Sequence, residues 1–242
     1  MRGGRAGRAA AMAVASVLLG ALATGCGSAA HDGGDGKADG KPTARASAAA
    51  DVTESLAPDG TTVRVGSPDA KTVVHVYEDA RCPVCRQFET QGGGEALREL
   101  VRSGQVRAEY TLASFLDDRL GGHGSEKAAN ALRAALDAGK FAEYHDVLYA
   151  HQPEESVDGF TDAFLLDLAS QVKGLRSKEF DAAVRDMKYR SFVTASEQAF
   201  ERSGATGTPA MKVDGTFVDG ARLNQIFDKS TLPLVIGALA RD

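Results

Sequence analysis

The sequence predicts an α/β layered domain carrying a helical insertion, and three observations predict it. Two β-branched stretches lead into a helix and a further strand. Residues 125–203 then turn to helical periodicity, and the chain returns to two short strands and a closing helix. The composition, 43% hydrophobic and 25% charged, suits one globular domain with additional material.

That additional material comes first. Arg2, Arg5 and Arg8 precede the 16-residue apolar run "AAAMAVASVLLGALAT". A basic start, a short apolar centre and small residues before a cysteine make residues 1–25 a secretory signal. The run falls short of the roughly 20 residues a spanning helix needs, and no later stretch approaches it, so no transmembrane helix is expected in the mature chain. "LATGC" resembles a bacterial lipobox, with Ala23 where that pattern usually has Leu. The resemblance implies lipidation at Cys26 and a cell-membrane anchor, with ordinary secretion as the alternative. Loss of residues 1–25 removes three of 28 basic residues and none of the 33 acidic ones, leaving a net charge of −8. That acidic surplus argues against nucleic acid or anionic lipid as partners.

Residues 26–58 are assigned to the lipidated cysteine and a flexible tether. Its stretch 27–50, "GSAAHDGGDGKADGKPTARASAAA", has no large apolar residue to bury. A coil of this length spans roughly 25–30 Å. The folded domain is placed at 59–242, long enough to build a core without staples.

Its elements follow in order. "TTVRV" is a strand, Gly66 and Pro68 mark a turn, and "TVVHVY" reads as a buried central strand. A helix starts at Pro83, whose missing N–H suits a first turn. Val84, Phe88, Leu97, Leu100 and Val101 give it an interrupted apolar stripe, broken at "GGG" 92–94. "VRAEYTL" is the next strand. The insertion, about 122–203, holds a helix capped by Ser125, one over "KFAEYHDVLYAH", one capped by Thr161, and a long one over 177–204. "TGTPAMKVDG" and "TFVDGA" are strands joined by an Asp-Gly turn. The closing helix is capped by Ser230, with Pro233 in its first turn.

The chemistry concentrates in "YEDARCPVCRQFE", residues 77–89, which holds Cys82 and Cys85. A zinc site needs about four ligands, there is no second Cys-x-x-C, and His31, His75, His123, His145 and His151 are scattered, so no metal is expected. A structural staple closing so short a loop stabilises little. A redox pair has a mechanism. Cys82, exposed at the strand end, would face unpaired N–H groups and the positive end of the helix dipole, which favour a thiolate. Cys85, one turn in and more buried, would resolve the mixed disulfide. Arg81 either adds positive charge beside Cys82 or is solvated.

"VGSPDAKTVVHVYEDARCPVCRQFE", "GKFAEYHDVLY" and "ATGTPAMKVDG", in this order over roughly residues 62–220, resemble the DsbA-like thioredoxin-fold disulfide oxidoreductases of bacterial envelopes. The resemblance implies a thioredoxin-like fold, with the helical insertion between a βαβ half and a C-terminal ββα half. It implies Cys82 as nucleophile, Cys85 as resolving thiol, and Pro209 as a cis-proline beside them, preceded by Thr208. The backbone of Thr208 could then pair with a substrate chain as an added strand. Between Pro83 and Cys85 the family often has an aromatic residue or His; Val84 here adds no charge to hold a thiolate. For Glu78 and Asp79 two roles stand open. One of them relays the Cys85 proton, or Asp79 caps the local turn and Glu78 is solvated.

The expected activity is extracytoplasmic thiol–disulfide exchange that forms or reshuffles disulfides in exported proteins. No cofactor beyond the cysteine pair is expected, and a membrane redox partner would recycle it. The alternatives are a tethered reductase or isomerase of the same fold, and a redox-inert chaperone or binding lipoprotein.

Overall fold

The computed structural model describes residues 52–240. The signal segment, Cys26 and residues 27–50 of the tether lie outside the described residues.

The chain runs β1 (Glu54–Leu56), β2 (Val63–Val65), β3 (Thr72–Asp79), α1 (Pro83–Thr90), α2 (Gly93–Arg102) and β4 (Val106–Ala113). The insertion follows as α3 (Phe115–Leu120), α4 (Gly124–Asp137), α5 (Phe141–Ala150), α6 (Asp162–Ala169), α7 (Lys178–Arg185) and α8 (Arg190–Arg202). β5 (Ala210–Val213), β6 (Thr216–Phe217), a 3-10 segment over Gly220–Phe227 and α9 (Leu232–Leu239) complete it. One six-stranded sheet has the order β1-β2-β4-β3-β5-β6. β3 and β4 are parallel, joined by α1 and α2, while β5 returns antiparallel to β3. This is the expected thioredoxin-like arrangement, with β3 near the middle of the sheet.

The period of two along β3 positions the site. Val74, Val76 and Glu78 point to one face; His75, Tyr77 and Asp79 point to the other. On the first face Val74 and Val76 pack in the main core with Phe88, Leu97, Ala108 and Leu148. On the second, Tyr77 joins a smaller cluster with Ala113 and Phe200. The Asp214-Gly215 turn carries both residues at positive φ, +46° and +83°, as a tight hairpin turn demands. Gly93 sits where any side chain would run into the Ile226 carbonyl and the Phe88 ring, so the glycine run lets α2 close against both.

Several expectations are corrected. Residues 54–56, assigned to the tether, form β1, and the Glu54 carboxylate accepts from the N–H of Phe141 (2.7 Å) and Ala142 (2.8 Å) at the start of α5. Three residues are too few to show a periodicity. The single helix expected over 177–204 breaks at Met187, whose φ is +48°. Buried Asn130 stabilises the break: it donates to the Ala183 carbonyl (3.0 Å) and accepts from the Tyr189 N–H (2.9 Å). α3 and the 3-10 segment were unforeseen. Thr161 caps α6 as expected. Ser125 does not cap α4, since the helix begins at Gly124 and Ser125 is buried within it. Thr231, not Ser230, stands at the N-cap position of α9, and its side chain makes no capping bond there. Val84 is 42% exposed and outside the apolar stripe.

Candidate active site

β3 ends in a tight turn, closed by the Cys82 N–H donating to the Asp79 carbonyl at 2.9 Å. Cys82 is thereby the extended N-cap of α1, and Pro83 follows in the first turn. Cys85, one turn on, is fully buried, and both thiols are free. Cys82 is only 7% exposed, against the exposed position expected. The reason is the loop before β5: the Cys82 thiol donates to the Thr208 carbonyl at 3.3 Å, and the Thr208–Pro209 peptide is cis. Thus residues 82, 85, 208 and 209, far apart in sequence, meet at one point.

The two thiols diverge electrostatically. A hydrogen bond from Cys85 is the strongest influence on Cys82; burial opposes it, and the Thr208 side chain and the N–H groups of Cys85 and Val84 add to it. The result is a Cys82 thiol lowered to about 6. The Thr208 hydroxyl otherwise lacks a partner, which leaves it available to the thiolate. Burial pushes the Cys85 thiol well above its ordinary range, and the charges of Cys82 and Glu78 push the same way. One cysteine is built to be a thiolate and the other to stay protonated.

Glu78 and Asp79 part company because neighbours on a strand face opposite ways. Asp79 accepts from the N–H groups of Arg81 (2.9 Å) and Leu116 (3.1 Å) and from the Ser125 hydroxyl (2.6 Å). It ties the cysteine loop to α3 and α4, in line with the turn-capping role, and burial raises it to about 7 despite these bonds. Glu78 is 1% exposed, not solvated, and its Oε1 accepts from His145 Nε2 at 2.6 Å while Oε2 has no partner. Burial alone would deprotonate His145, but the charge and hydrogen bond of Glu78, with the nearby carboxylates of Asp146 and Glu89, outweigh it and keep the imidazole protonated.

Arg81 is also buried, not solvated. It pairs with Asp117 at 2.8 Å and donates to the carbonyls of Gly121 (2.8 Å) and Glu155 (3.0 Å). Its charge is spent on the scaffold. Gln152, which the sequence did not single out, donates to the carbonyls of Ala80 (2.7 Å) and Cys82 (2.9 Å) and fixes the loop from behind. No local pattern marks it, because it meets the loop only through the fold. Glu89, Tyr149 and His145 lie within the quoted motifs, but their sequence pattern assigns none of them a role at the site. All three are buried behind Cys85, and Glu89 Oε1 and the Tyr149 hydroxyl lack partners.

Among the described residues, the one trio of possible metal ligands is Glu78, Glu89 and His145, whose ligand atoms lie within 4.8 Å of one another. Protonated His145 and Arg98, 2.8 Å from Glu89, already supply the positive charge there, which makes it an ion-pair network. In front, exposed Val84 flanks the thiol. A cleft of about 480 Å³, lined by Gly207, Thr208, Pro209, Phe217 and Leu223, adjoins it.

The thioredoxin family model matches residues 58–229. Disulfide bond formation protein D of Bacillus subtilis is 23% identical over 171 residues, covering 68% of this chain and 75% of that protein. The structure of reduced DsbA from Mycobacterium tuberculosis is 27% identical with a TM-score of 0.58, covering 74% of this chain and 99% of that one. A Na(+)/H(+) antiporter, NhaA 3 of Salinispora tropica, is 31% identical over 169 residues, covering 68% of this chain but only 23% of that protein.

Proposed function

The chain belongs to the thioredoxin family and is a thiol–disulfide oxidoreductase of the DsbA type; from that premise we propose that Cys82 and Cys85 form its redox centre and introduce or reshuffle disulfides in exported proteins. The observation that carries this is the opposite tuning of the two thiols, Cys82 lowered to about 6 and Cys85 raised, at one helix N-terminus. In the oxidised protein, a substrate thiolate attacks Cys82 and Cys85 leaves. A second substrate thiolate then attacks the mixed disulfide and frees Cys82, which is the better leaving group for its low pKa. Recharging runs the other way: Cys82 attacks a partner disulfide, and Cys85 resolves it.

Thr208 and Pro209 would hold the substrate chain beside Cys82, with the neighbouring cleft taking its side chains and Val84 as an apolar contact. Asp79 and Arg81 act through the loop they anchor. Glu78 is the carboxylate whose charge acts on the Cys85 thiol. The basic-apolar N-terminus and Cys26 support export and a lipid anchor, with a membrane redox partner as the oxidant. Among the described residues, no helix is long and apolar enough to cross a membrane.

The test is trapping. Cys85→Ser, mixed with a disulfide-bearing protein, should accumulate a mixed disulfide through Cys82, and Cys82→Ser should lose exchange. Full activity in Cys82→Ser would reject the assignment.

A further inference from the structure

Resolution by Cys85 requires a wholly buried thiol to lose its proton as it attacks. The unpartnered Oε2 belongs to the carboxylate whose charge reaches that thiol, Glu78. Its other oxygen is joined to His145 Nε2 at 2.6 Å. His145 is 3% exposed at its side chain, yet it lines a cavity of about 460 Å³ together with Arg98, Tyr110, Phe141 and Asp146. Its second nitrogen, Nδ1, lies 4.0 Å from Asp146 Oδ1, and the Asp146 side chain is 43% exposed. A carboxylate and an imidazole therefore span from the thiol to a cavity whose rim reaches solvent.

Resting on the redox assignment of Cys82 and Cys85, we propose that His145 is the proton outlet of the resolving cysteine, coupling Glu78 to this cavity. As Cys85 sulfur attacks Cys82 sulfur, the Cys82–Cys85 bond forms and the bond from Cys82 to the partner sulfur breaks. The partner leaves as a thiolate with that bond's electron pair, so the dithiol is oxidised by two electrons and the partner disulfide is reduced. The Cys85 proton goes to Glu78 Oε2. The imidazolium then loses its counter-ion, and burial favours its neutral form. It releases the Nδ1 proton towards Asp146 and the cavity, while Nε2–H stays on Glu78 Oε1. The buried pair begins with no net charge and ends with none, which avoids leaving an isolated charge in the core. Reduction reverses each step: Cys85 leaves as a thiolate, takes the proton back from Glu78, and His145 is reprotonated from the cavity.

The surroundings fit this role. Glu89 from α1, Arg98 from α2, Tyr110 from β4, and Asp146 and Tyr149 from α5 face the pair, with Cys85 at its inner end. Arg98 bridges Glu89 at 2.8 Å and Asp146 at 3.1 Å, so one cation is shared between the two carboxylates beside the pair.

The experiment tracks reduced full-length protein reacting with oxidised glutathione, quenched with acid and read by mass, so that mixed-disulfide formation and its resolution are timed separately. Relative to formation, resolution near neutral pH should slow at least about tenfold in His145→Gln and His145→Ala, the low side of what positioned acid–base groups contribute. Added imidazole should restore His145→Ala. In the unaltered protein, resolution but not formation should slow in D2O. Resolution unchanged in both variants, a loss that imidazole does not relieve, or no slowing in D2O would each overturn the outlet. If the unaltered protein forms no mixed disulfide at all, it is the redox assignment that fails instead.

Discussion

The low pKa of Cys82 sets both its ionisation and the redox balance of the pair. At pH 7 a thiol lowered to about 6 is about nine-tenths ionised, whereas a thiol at the ordinary 9.0 is about one-hundredth ionised. Through linkage, that difference stabilises the reduced folded form by about 1.4 kcal/mol at pH 7. It makes the pair about 30 mV more oxidising than an untuned dithiol. Because the folded thiol ionises below its unfolded counterpart, the gain is complete above about pH 9. It shrinks by about 1.4 kcal/mol per pH unit on the way down and is gone below about pH 6. Two assays read this. Thiolate absorbance near 240 nm, with the oxidised protein as blank, should titrate near 6, and urea unfolding should show reduced-minus-oxidised stability rising between pH 6 and 9. Since the hydrogen bond from Cys85 is the largest influence, Cys85→Ala should move the Cys82 midpoint up, while Cys85→Ser, which keeps a donor, should move it less. A wild-type midpoint above about 8, in the range of an ordinary thiol, would refute the reasoning, as would a midpoint indifferent to Cys85→Ala.

Two further outcomes concern the scaffold. Arg81→Met strands Asp117 without its buried cation and should cost about 3–5 kcal/mol in urea unfolding; a loss below about 1 kcal/mol, the scale of an exposed pair, would contradict the role given to Arg81. Gln152→Ala leaves the Ala80 and Cys82 carbonyls without their donor and should cost about 1–3 kcal/mol. Unchanged stability together with an unchanged Cys82 midpoint would show that the loop does not depend on it.

Much of the fold was legible because its signals are local. The β-branched run at 72–77, Pro83 at a helix start, the Asp214-Gly215 turn and the Thr161 cap each state their geometry within a few residues. The cysteine pair and the Thr208–Pro209 loop were legible through the family resemblance, which also covers their spacing of over 120 residues. Burial of charge was not legible. Glu78 and Arg81 look like solvated loop residues until His145 and Asp117 arrive from the helical insertion. Alternation along β3 would have separated Glu78 from Asp79 in advance, had the strand been extended from Tyr77 to Asp79. The break at Met187 is set by Asn130, 57 residues earlier, and no local pattern announces such a contact.

Central to the proposed function is a Cys82–Cys85 pair poised to oxidise other proteins. Equilibrating the protein with glutathione buffers and measuring the reduction potential of the pair tests this most directly. A value between about −180 and −120 mV, the span of protein disulfide isomerase and DsbA, is predicted. A value near about −270 mV, as in thioredoxin, would reverse the direction of electron flow, and a pair that ignores the buffer would remove the redox centre altogether.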